Sequence, residues 1–129
     1  MKLKFVLSSA ALYMALVGLG MMLVPRQFGI GAVPADASPA LVAFLRIFGG
    51  PCLGIAALDW LTRDAPPSPT RRAVVLGNVV GFGSVAAIDV WGVLGGSARP
   101  MARLFLVIHL ALAIAFVVAA RRSALAERG

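Results

Sequence analysis

The chain has 129 residues, 60% hydrophobic and 13% charged, whereas a soluble domain carries about a quarter charged residues. With a mean hydropathy of +0.95, that balance excludes an ordinary water-soluble fold. The net charge of +7 would raise nucleic acid as a partner of a soluble protein. Here most arginines flank apolar runs, with no aromatic-interleaved basic face, so lipid headgroups and topology explain the charge and no nucleic-acid partner is expected.

A bilayer core of about 30 Å needs roughly 20 apolar residues at helical rise. Four runs qualify, and their bounds predict helices over about 5–24, 40–61, 71–94 and 101–121. None shows the strict alternation of a barrel strand, and backbone polar groups in lipid must be satisfied within the segment. The expected fold is all-α: one four-transmembrane-helix bundle built from two helical hairpins.

The first run, Phe5 to Val24, holds no charge. Its lysine-containing start and Ala35-Asp36-Ala37 resemble a secretory signal. It is about twice as long as a typical signal core and the small-residue triplet lies far beyond it, so it reads as a span. The second run contains Arg46, Pro51, Cys52 and Asp59. The single cysteine excludes an internal disulfide and a multi-cysteine metal site. Cys52 reads as packing, and Asp59 with Arg63 as a helix pair four residues apart. The third run carries Gly77, Asn78, Gly81 and Asp89, and the fourth carries Arg103 and His109.

Ser38-Pro39, Ser68-Pro69 and Arg99-Pro100 stand before the last three runs. Proline suits the first helical position, and serine suits the cap before it. Lys2, Lys4, Arg63, Arg71, Arg72, Arg121, Arg122 and Arg128 fall on one side of the runs. The positive-inside rule then puts both termini and the middle loop in the cytoplasm. Trp60 and Trp91 stand where indole rings anchor at opposite interfaces.

The second and fourth runs echo each other. Laid together, Arg46 falls on Arg103, Phe48 on Phe105 and Cys52 on His109. This suggests a duplicated hairpin, residues 1–63 and 69–122, although apolar helices also resemble one another by composition alone.

At about 100° per residue, Gly50, Gly54 and Ala57 form a stripe with Arg46 on its side, and Gly77, Gly81 and Gly92 form another. Small residues allow close helix approach in lipid, so both stripes are expected to pack. Arg46 and Asp89 then face the interior, roughly 9 and 8 Å below the outer ends of their helices, with His109 about 12 Å below its own. An Arg46–Asp89 interaction is expected, with His109 nearby, Tyr13 approaching from the first helix and Asn78 along the flank. That cluster reads either as an outward-facing ligand pocket or as an ion pair fixing helix register. A lone histidine is a poor metal or haem site, so no metal or cofactor is expected.

The chain shows no H-E-x-x-H, no phosphate-binding glycine loop and no nucleophile elbow. It does not read as an enzyme. FLRIFGGPCLGIAALDWLTR, followed by the proline-containing loop and TRRAVVLGNVVGF, resembles a group of small uncharacterised four-helix bacterial inner-membrane proteins. More loosely the chain is similar to DoxX-like proteins, some of them associated with quinone or thiol redox systems. The resemblance covers residues 44–95 and implies a bacterial inner-membrane location. The leading expectation is a non-enzymatic protein that binds membrane lipid, a membrane-protein partner or a second copy of itself through glycine-rich helix faces. The alternatives are a small transport or ligand-binding protein using Arg46, Asp89 and His109, and an accessory subunit of a membrane redox system.

Overall fold

A computed structural model describes residues 2–98 and 101–126. The Arg99-Pro100 step and Arg128 lie outside the described residues. The described chain is all-helical: α1 Leu3–Leu23, α2 Pro25–Phe28, α3 Pro39–Thr62, α4 Pro69–Leu94 and α5 Ala102–Ala126. All but the single turn α2 include a segment long and apolar enough to cross a membrane. The four long helices lie within a few residues of the expected bounds, α5 running on beyond its expected end.

The helix starts follow the expected chemistry. The Ser68 hydroxyl accepts from the Arg71 amide at 3.2 Å, with Pro69 at the first helical position. The Ser38 hydroxyl accepts from the Leu41 amide, also at 3.2 Å, with Pro39 opening α3. Each serine satisfies one of the amides that a helix leaves unpaired at its start. At the other end of α4, Gly96 turns into the left-handed region at φ +68°. The Ser97 and Ala98 amides then reach back to the Gly92 carbonyl, both at 3.1 Å. Glycine is the residue that enters this conformation without a Cβ clash.

The chain forms two compact units, one of residues 1–7 with 61–129, the other of residues 8–60. In the 8–60 unit, α1 and α3 approach through Gly18 and Gly49. A Cβ on Gly49 would lie 2.6 Å from the Gly18 carbonyl oxygen, and one on Gly18 would lie 2.9 Å from the Gly49 oxygen. Only glycine permits this separation. The long connection in this unit is folded: α2 makes one turn, and the Arg26 guanidinium donates to the Ala37 carbonyl at 3.0 Å.

In the other unit, α4 and α5 pack as an antiparallel hairpin. Asp89 meets His109, and Phe82 stacks with Phe116 at a centroid distance of 6.1 Å. The two residue numbers sum to the same value in both contacts, so these contacts share one antiparallel register. Val75, Asn78, Phe82 and Ala86 are the buried stripe of α4. From α5, Phe116 and Ala119 are 0% and 1% exposed.

Leu12, Phe44, Ile47, Leu76, Ile88, Leu94 and Val107 are all exposed, while Asp59, Asn78 and His109 are buried. Apolar outside and polar inside is how helices in hydrocarbon arrange themselves. The buried stripe on α3 is Gly49, Cys52, Ala56 and Asp59. This corrects the expectation for Gly50, Gly54 and Ala57, which are exposed about one residue further round the helix. Gly77 and Gly81 are exposed as well, on the side of α4 away from its buried stripe. The flank expected to carry Asn78 and Asp89 is the one that packs. Of the three pairs in the echo between the second and fourth spans, Arg46 and Arg103 are both exposed and Cys52 and His109 both buried, whereas Phe48 is exposed and Phe105 half-buried.

Candidate functional site

Asp89 lies five residues before the end of α4, and His109 seven residues after the start of α5. At 1.5 Å per residue these are about 8 and 10 Å along the two axes, which puts both side chains at one level near the loop end of the hairpin. The His109 Nδ1–H donates to Asp89 Oδ2 at 2.6 Å, and the two side chains are 11% and 19% exposed. Such a short separation is that of a charge-assisted hydrogen bond.

Aromatic rings enclose the imidazole. Phe82 from α4 and Phe105 from α5 each stack on His109 at 6.2 Å, with interplanar angles of 29° and 24°. Phe82 in turn stacks on Phe116, which is fully buried. The imidazole thus sits in an aromatic column with one carboxylate fixed on Nδ1. Parting the two groups would cost each the hydrogen bond it makes to the other in a largely enclosed place. Chemically the arrangement can hold and release one proton, or orient the imidazole toward a hydrogen-bonding ligand.

Asn78 is buried on the same stripe of α4, eleven residues from Asp89 and thus about 16 Å along the axis. Its Nδ2 donates to the Val74 carbonyl at 3.0 Å, turning the amide back on its own helix. Arg46 and Tyr13 belong to the 8–60 unit. Tyr13 is half-buried on α1, and Arg46 is exposed on α3. The expectation of an enclosed Arg46 guanidinium is therefore corrected. Arg46 shares its face with Gly50 and Gly54, and that face lies about 100° from the buried one.

Sequence reasoning undervalued Asp59, which is 0% exposed. Its spacing from Arg63 gives the expectation of a helix pair, and it also falls on the buried stripe with Cys52 and Ala56 at helical intervals. Registering that stripe on Gly49 instead of Gly50 would have found it. Arg63 reaches Asp64 through Nε at 3.4 Å, and Lys4 Nζ reaches the same carboxylate at 2.7 Å. The Lys4 hydrogen bond, together with the charges of Lys4, Arg63 and Arg71, holds the Asp64 carboxyl below the usual carboxylate range.

Comparison of the chain with protein-family models, with curated proteins and with solved structures found no match.

Proposed function

We propose that this is a non-enzymatic, multi-pass protein of a bacterial inner membrane, with both termini cytoplasmic, that acts by binding a second membrane-embedded helix. The resemblance to small four-helix and DoxX-like proteins belongs to this proposal, as does the location. One observation carries it. Gly18 and Gly49 are consumed by contact within the chain, whereas a Cβ added at Gly50, Gly54, Gly77 or Gly81 would meet nothing within 4 Å among the described residues. Glycine in a helix interior costs about 0.8–1 kcal/mol relative to alanine. Two glycine pairs at four-residue spacing on uncovered faces of membrane-spanning helices suit close approach by another helix. The occupant is a partner protein or a second copy.

The test is the mass of the complex extracted in mild detergent, measured intact for the wild type and for Gly54→Leu and Gly81→Leu. The expected result is a complex that one of these variants loses while its own thermal stability is retained. A wild type that runs as a bare monomer defeats the proposal.

The Asp89–His109 pair favours a second reading, a small ligand-binding or transport protein. It is supported by the general rule that ionisable groups inside a membrane mark pathways or ligand sites. Its test is uptake or release of one proton in vesicles, lost in His109→Gln.

A further inference from the structure

The hairpin unit gathers cations at the end where α4 begins. Lys4, near the start of α1, and Arg63, just beyond the end of α3, both reach the Asp64 carboxylate. Arg71, in the first turn of α4, lies close enough to contribute to the same electrostatic field. Its Nε is buried and has no hydrogen-bond partner among the described residues. Three cations from three segments of chain thus act on one carboxylate, and Arg72, exposed next to Arg71, adds a fourth. The local excess of charge is positive. The amino end of α4 adds the positive end of its helix dipole.

These residues flank helices that can cross a membrane, so the anions within reach of this surface are lipid phosphates. A guanidinium pairs bidentately with phosphate oxygens, and of the two arginines at the α4 start Arg71 is half-buried and Arg72 exposed. From this convergence we infer that the α4 start, with Lys4, Arg63, Arg71 and Arg72, is a binding site for the phosphate headgroup of an anionic phospholipid. Asp64 occupies part of it as a built-in competitor, since its carboxylate already engages Lys4 and Arg63. The site differs in kind from a general excess of membrane-flanking charge. Arg121 and Arg122, exposed near the end of α5, fall by the hairpin register opposite Gly77 and Leu76 of α4, about 6–9 Å along the axis from Arg71 and Arg72, and so serve as a nearby control of equal charge.

The test is native mass spectrometry of the full chain in detergent, titrated with phosphatidylglycerol and with phosphatidylcholine of the same acyl chains. The wild type should retain phosphatidylglycerol at least about tenfold more tightly, given the roughly one-kilocalorie contribution of each interfacial cation. Arg71→Gln with Arg72→Gln should lose most of that preference. Asp64→Asn should increase it several-fold, an effect that damage to the fold would not produce. Arg121→Gln with Arg122→Gln should leave it within about twofold. Equal losses from the two arginine pairs would mean that only net charge matters and would overturn the site. So would equal retention of the two lipids, or displacement of phosphatidylglycerol by millimolar inorganic phosphate.

Discussion

Replacing His109 by leucine removes the side chain that donates to the Asp89 carboxylate and leaves an apolar group beside Phe82 and Phe105. Leaving a largely enclosed polar group without its hydrogen-bond partner costs about 1–3 kcal/mol. With the Asp89 side chain 19% exposed, His109→Leu should cost about 2 kcal/mol, roughly thirtyfold in the folding equilibrium. Asp89→Leu leaves an imidazole N–H without its acceptor and costs about 1–3 kcal/mol. The double replacement substitutes a packed apolar pair and should cost little, since such swaps are often neutral or stabilising. The assay is a double-mutant cycle of equilibrium unfolding in mixed micelles, with helicity as the readout. The expected outcome is a double variant more stable than the His109→Leu single variant. If the two single losses simply add, the groups are not coupled, and the reading of this pair as one buried unit is refuted.

Other outcomes follow from particular contacts. Gly49→Ala should destabilise by about 1–3 kcal/mol, because its Cβ would lie 2.6 Å from the Gly18 carbonyl oxygen; Gly50→Ala, with open space around it, should be neutral or slightly stabilising in the isolated chain, by the same unfolding assay. Arg46→Leu should insert more readily by about 2.5–3.5 kcal/mol in a translocon-insertion assay, because Arg46 is exposed within a spanning helix; a loss of folded stability instead would mean that the arginine is held by its own chain. Asp64 titrates below its ordinary value because Lys4 donates to it. A carboxyl depressed on folding contributes stability that is fully present above its unfolded value of about 3.9 and is lost as pH falls through the lower folded value. Lys4→Gln should therefore move the Asp64 titration, followed by carbon NMR, back up toward that value.

Four helices, their bounds and their serine caps were legible in the chain because the cost of unpaired backbone groups in hydrocarbon leaves helix as the solution for each apolar run. The burial of Cys52 was legible for a related reason: it is small, apolar and central in its span. Which face of each helix turns inward was not legible. The apolar runs are nearly uniform around the helix, so moving the packed stripe from Gly49 to Gly50 changes little in hydrophobicity while exchanging Asp59 for Arg46 in the interior. Only the steric fit between Gly18 and Gly49 and the antiparallel register of the α4–α5 hairpin decided that choice. The register also set His109 against Asp89, because a hairpin contact depends on loop length and side-chain stacking that no single helix carries in its own pattern.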